Sequence, residues 1–135
     1  MSCRWHLLLV SLLVSLLAIT AIVSGEVLSR TRGAPTPEEL VERYLEGMRS
    51  NEPNAVAWLM AADREDRAAI ARRLERYRRI PVHATLDVEH TQHSDAAYLK
   101  GARVRFQAEV IEEIGMQHQG SRFGDRWRLL LPPAP

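Results

Sequence analysis

Lysine is almost missing from this chain: Lys100 stands alone against seventeen arginines. So uniform a bias reads as base composition of the coding sequence rather than as many separate choices of guanidinium chemistry. Cysteine is equally scarce. Cys3 is the single one, so no intramolecular disulfide can form, and a domain of this chain must be held by its core alone. Cys3 also precedes the apolar run that follows it, whereas a bacterial lipoprotein cysteine directly follows such a run. Excess charge is absent as well, since 18 basic residues face 17 acidic ones. That balance gives no general attraction for nucleic acid, and none is expected as a partner.

The most local absence is of charge between Arg4 and Glu26, where residues 5–25 read "WHLLLVSLLVSLLAITAIVSG". As a helix this run extends ~31 Å, against a hydrocarbon core of ~30 Å. Its apolar heart is longer than the ~7–15 residues of a signal-peptide core. Length therefore favours a signal anchor that carries the rest of the chain out of the cytoplasm, with residues 5–25 as the membrane contact. The short residues Val23, Ser24 and Gly25 leave open cleavage after Gly25 and secretion of the remainder. Arg4 on one flank and Arg30 and Arg32 on the other barely discriminate orientation. Ser11 and Ser15 have a small-xxx-small spacing that can bring helices close in lipid, or are simply tolerated in a leucine-rich span.

Composition beyond residue 25 is that of one small globular domain. Residues 26–35 lack periodicity and read as a linker; residues 36–132 form the domain and 133–135 a tail. "TPEEL" predicts a helix start, with Thr36 as N-cap, Pro37 at the first helical position and Glu39 closing a capping box. Leu40, Val41, Tyr44, Leu45 and Met48 follow at helical spacing. Pro53 restarts a short helix whose stripe is Val56, Leu59 and Met60. A third helix is expected over 64–79, with Ile70, Leu74 and Tyr77 inward and Pro81 as its stop. The period then changes to two. Val82, Ala84, Leu86 and Val88 predict one strand; Ala102, Val104, Phe106, Ala108 and Val110 predict another. Gly124-Asp125 reads as a hairpin turn before a last strand with Trp127, Leu129 and Leu131 on one side, and Pro132 and Pro133 as its guard. Helices first and an antiparallel meander after them make an α+β domain.

Four segments, "TPEELVERYLEGMRSNEPNAVAWL", "DREDRAAIARRL", "GARVRFQAEV" and "GDRWRLLLP", resemble the nuclear transport factor two-like superfamily over residues 36–132. The resemblance implies a cone of three helices against a curved antiparallel sheet. The superfamily holds isomerases, dehydratases and epoxide hydrolases, which place acids, histidines or tyrosines inside the cone, and also non-catalytic binding and dimerising modules. No catalytic set maps onto this chain residue by residue. The expectation is therefore a non-catalytic binding or assembly module without a cofactor, the alternatives being a small cone-pocket enzyme or an accessory subunit of a membrane complex. The resemblance also admits a protein partner or homodimer through the sheet, whose polar face carries Arg103, Arg105, Gln107 and Glu109.

Candidate chemistry is sparse. His90 and His93, with His83 and His118, have imidazoles that suit Zn or Cu but lack a ligand-like spacing, so no metal site is assigned. Asp63, Asp66, Asp87 and Glu109 are acid–base candidates by residue type alone, and the adjacent Glu112 and Glu113 read as a loop or irregular edge. No catalytic residue is assigned. Tyr44, Trp58, Phe106 and Trp127 are candidates to line an apolar pocket between helices and sheet. The arginines of the third helix, Arg72, Arg76 and Arg79 above all, are candidates to meet an anionic surface, lipid headgroups or an acidic protein. Their plainer reading is a solvated face, partly neutralised by Asp63–Arg67 and Glu75–Arg79 pairs.

Overall fold

A run of leucine and valine without charge or proline has every reason to be helical, and α1 spans Ser2–Thr31 in the computed structural model. The structure describes residues 2–92, 95–120 and 126–131. Gly25 does not stop α1: one glycine costs ~1 kcal/mol, and Glu26, Val27 and Leu28 carry the helix through much of the expected linker. Over residues 5–21 the large apolar side chains are 58–71% exposed on all sides, with no stripe reserved for a core. Ser15 donates to the Ser11 carbonyl at 2.9 Å and Thr20 to the Leu16 carbonyl at 2.8 Å, so both hydroxyls are satisfied within the helix. Among the described residues no helix is long and apolar enough to cross a membrane. The chain divides into two compact units, Met1–Thr31 and Arg32–Pro135.

The second unit is α+β. Helices α2 (Pro37–Arg49), α3 (Pro53–Trp58) and α4 (Arg67–Arg78) precede β1 (Asp87–Thr91), β2 (Leu99–Phe106), β3 (Glu109–Gln119) and β4 (Arg126–Leu130). The strands form an antiparallel meander in chain order. Thr36 caps α2 as expected, accepting from the Glu39 amide at 3.2 Å, while the Glu39 carboxylate pairs with Arg43 one turn on. Helix α4 starts at Arg67 rather than Arg64, because Asp66 caps it by accepting from the Ala69 amide at 2.9 Å. Residues Ala62–Arg64 form a separate 3₁₀ turn. Leu40, Tyr44, Val56, Ile70, Leu74 and Tyr77 are all buried against the inner face of the sheet, formed by Ala102, Val104, Ile114, Met116, Trp127 and Leu129.

Two strand expectations are corrected. The first strand does not begin at Val82, which is 71% exposed, but at Asp87. Asp87 pairs with Arg105, and β2 turns back after Phe106, so earlier residues have no strand partner; the Arg49 guanidinium takes the carbonyls of Val82, at 2.8 Å, and Ala84. The second strand is not one run. Gln107 and Ala108 both have positive φ, 52° and 67°, and make a two-residue hairpin between β2 and β3, closed by the Phe106–Glu109 pair. A two-residue turn keeps the alternation in step, so the period alone hides it, and neither residue is the Asn or Gly such a turn prefers.

The Gly124-Asp125 turn and the proline guard lie outside the described residues. The outer edge of β4 is covered instead by residues from the start of the domain. Ala34 exchanges two backbone hydrogen bonds with Trp127, and the Leu129 amide donates to the Leu59 carbonyl at 2.9 Å. Gly33 has φ 81°, and a Cβ there would lie 2.2 Å from the Trp127 carbonyl, so only glycine lets the chain pass this close.

Replacing Gln107-Ala108 with Asn-Gly should raise stability by ~1 kcal/mol, because both positions must hold a left-handed backbone. Thermal unfolding followed by tryptophan fluorescence checks it. An unchanged or lower midpoint would contradict the turn geometry.

Candidate functional site

The pairing of β2 with β3 slips by one residue above the hairpin. Arg105 faces Val110, but Val104 faces Glu112, leaving Ile111 as the extra residue of a β-bulge. Had the ladder run on unbroken, Glu112 would sit opposite Arg103 on the outer face. The bulge turns it inward instead, onto the face of Val104, where it is 4% exposed. It is the buried acid among the described residues and lies within the core rather than in the loop or edge its sequence implies.

Three donors converge on this carboxylate. Tyr44 from α2 donates to Oε1 at 2.6 Å, and Tyr77 from α4 donates to Oε2 at 2.6 Å. Arg73 from α4 forms an ion pair with Oε1. The two tyrosine rings meet edge to face with centroids 6.3 Å apart. Burial, and next the Glu112 charge, push both phenols well above their ordinary range, so each stays a proton donor. Burial acts most strongly on Arg73 and lowers it, but the charges and hydrogen bonds of Glu112 and Tyr44 together leave it raised from its ordinary value. Glu112 is therefore committed on both oxygens, and neither tyrosine can ionise to act as a base. This set ties α2, α4 and β3 together and offers no group to a substrate.

The expected pocket aromatics are dispersed. Tyr44 belongs to the Glu112 set. Trp58 lies under the Arg32 guanidinium at 4.8 Å and lines a shallow surface cavity beside α2 and α3. Phe106 closes the β2–β3 hairpin, half-buried. Trp127 is buried against His118, with ring centroids 5.0 Å apart, and has the Lys100 ammonium 5.3 Å away. Of the α4 arginines, Arg72 and Arg79 are exposed, and Arg76 is exposed but donates to the Ile111 carbonyl at 2.8 Å, holding the bulge. The expected helix pairs are replaced: Glu75 pairs with Arg78, and Arg67 with Glu65 at 2.6 Å, because Asp63 lies outside the helix. Asp87 and Glu109 are exposed. No group of three or more His, Cys, Asp or Glu is gathered for a metal among the described residues, and His93 lies outside them.

Sequence reasoning missed Glu112 although signals existed. Two tyrosines in helical core stripes need an acceptor for their hydroxyls. Arg73 sits on the turn between Ile70 and Tyr77, both of them core residues. A buried acid was the missing counterpart.

A second feature lies on the opposite face of the sheet. A cavity of about 490 Å³ is lined there by Leu99, Gly101, Gly115, Leu130 and Leu131, with Met60 and Arg64 at one end and Arg103 and Glu113 at the side. Gly101 and Gly115 are directly opposed in the β2–β3 ladder, so two missing side chains make its floor.

Glu112→Gln should cost ~1–3 kcal/mol of stability by leaving the half-buried Arg73 without its counter-charge. Tyr77→Phe should cost ~1–3 kcal/mol. The joint change Glu112→Leu, Arg73→Leu, Tyr44→Phe and Tyr77→Phe, which leaves no polar group of the set unanswered, should cost less than Glu112→Leu alone. Denaturant unfolding measures each of these, and a Glu112→Gln variant as stable as the parent would contradict a committed carboxylate.

Comparison with known protein families, curated proteins and solved structures finds no match to this chain.

Proposed function

We propose that the chain is a non-catalytic binding and assembly module, anchored by α1 in a membrane and holding its α+β domain at the outer face. The observation that carries this reading is the state of Glu112. Among the described residues, the one buried acid that could serve as a general base has both oxygens occupied by Tyr44, Tyr77 and Arg73. General acid–base work needs a group free to exchange a proton with a substrate. What the domain leaves accessible is a surface groove rather than an armed interior.

The anchor is supported by the surface of α1. A helix apolar on all sides is stable only when protein or lipid covers it. The hydroxyls of Ser15 and Thr20 bond the backbone four residues earlier, as hydroxyls do where water is absent. The uncharged sequence continues past residue 21 to residue 25, for ~31 Å in all. The order of three helices and a meander supports membership of the nuclear transport factor two-like cone, on the branch that binds without catalysis.

The full-length chain should remain in the membrane pellet after alkaline carbonate extraction and begin at Met1 or Ser2 on amino-terminal sequencing. Protease added outside intact cells stripped of their wall should digest the domain. A chain beginning at Glu26 in the soluble fraction would overturn the anchor.

A further inference from the structure

We propose that the glycine-floored groove on the outer face of the sheet binds an anionic phospholipid, with one acyl chain over Gly101 and Gly115 and the phosphate at Arg64. The inference deepens the reading of the chain as a binding module at a membrane and rests on it for the source of lipid.

The apolar part is built by strand register. On the outer face the residues across the sheet at one level are Thr91, Gly101, Gly115 and Leu130, matched through the three ladders. At Gly115 an added Cβ would lie 3.2 Å from the Leu130 carbonyl, so the floor is closely fitted backbone. Leu99, Leu130 and Leu131 supply the walls, and Met60 closes one end. A volume of about 490 Å³ is within the ~300–1,000 Å³ of small-molecule sites. Water gains little in such a trough, whereas an alkyl chain recovers the hydrophobic free energy of each methylene it buries there.

Charge gives the ligand its direction. At the side of the groove Arg103 and Glu113 neutralise each other at 3.0 Å, so that rim attracts neither sign. At the Met60 end Arg64 is exposed, and no described residue pairs with its guanidinium. Further along the same face of β4 stand Arg128 and Arg126; Arg126 donates to the Arg32 and Gly33 carbonyls at 3.0 Å each. Burial, and then the Arg32 cation, depress Arg128 from its ordinary value; the Asp63 carboxylate opposes them and the Arg126 cation adds to them. Glu65 does not offset them fully. It is shared between Arg67 at 2.6 Å and Arg32 at 3.4 Å, which hold its carboxyl below the usual range. A phosphate at this end would meet excess positive charge, and its chain would meet an apolar trough.

The test uses the full-length protein in dodecyl maltoside and native mass spectrometry of lipids retained after mixing with dioleoyl phosphatidylglycerol, dioleoyl phosphatidylcholine or oleate. The expected result is one phosphatidylglycerol retained in preference to phosphatidylcholine. Arg64→Glu should lower that preference about tenfold, the worth of one charge-assisted contact. Leu130→Trp, which fills the trough, should abolish retention of both phospholipids. Neither substitution touches α1, so lipid bound around the helix alone would survive both, and that survival would overturn the proposal. Equal retention of the two phospholipids by the parent would overturn it, as would retention of oleate in place of phosphatidylglycerol. If circular dichroism shows Leu130→Trp misfolded, the exposed Arg64 decides alone. Carbonate extraction reads the anchor separately: lipid retention by a chain lost from the pellet would unseat the anchor and leave the groove standing.

Discussion

Everything in the domain's interior is arranged around the placing of one negative charge. A carboxylate in an apolar core costs several kcal/mol unless donors surround it. Glu112 is surrounded by donors from two helices. That requirement fixes more than Glu112 itself. The bulge at Ile111 must be present to turn the side chain inward, Arg76 holds the bulge by its carbonyl, and Tyr44, Arg73 and Tyr77 must lie at the right turns of α2 and α4. A slip of one residue in the ladder would return the acid to the outer face and strand a half-buried arginine with two buried hydroxyls. The network thus specifies register and helix docking, a role that an apolar core of the same volume would fill less selectively.

Much of this architecture was legible from residues alone. The Thr36 cap, the stripes of α2 and α4, and the inward side of β4 follow from periodicity and capping chemistry, because those act within a few residues. What failed was non-local or unmarked by residue type. Alternation alone starts β1 too early because its partner β2 turns back after Phe106, so Val82 and Ala84 have no strand beside them and Arg49, more than thirty residues away, takes their carbonyls. The β2–β3 turn was missed because two residues at positive φ carry no glycine or asparagine, and a two-residue turn leaves the alternation unbroken.

The site was less legible than the fold for the same reason. A β-bulge is a property of two paired strands, so Glu112 and Glu113 look equivalent until the partner strand is known. Once paired, one faces the core and the other meets Arg103 on the surface. The aromatic candidates share an apolar character, yet they are divided among the core, the hairpin and the edge under Arg32. Helical arginines drew notice by number, whereas the crowded set comes from Arg32, Arg126 and Arg128, distant in sequence and joined by the closing of β4 against the start of the domain.

The two faces of the sheet follow opposite rules, and the contrast bears on function. On the inner face each polar atom of Glu112, Tyr44 and Tyr77 is answered by another part of the same chain, and large side chains fill the space between. On the outer face the central ladder pair is glycine against glycine, leaving backbone and leucine as the surface. Glycine within strands weakens a sheet, since it loses more freedom on folding and gives its neighbours nothing to pack against. Two of them are directly opposed at one level of the sheet. The proposed lipid chain across Gly101 and Gly115 would supply contacts there, and the arginines at one end would select for a negative head. The inner face answers its own polar groups while the outer face is floored by glycine, and the proposed binding role rests on that asymmetry.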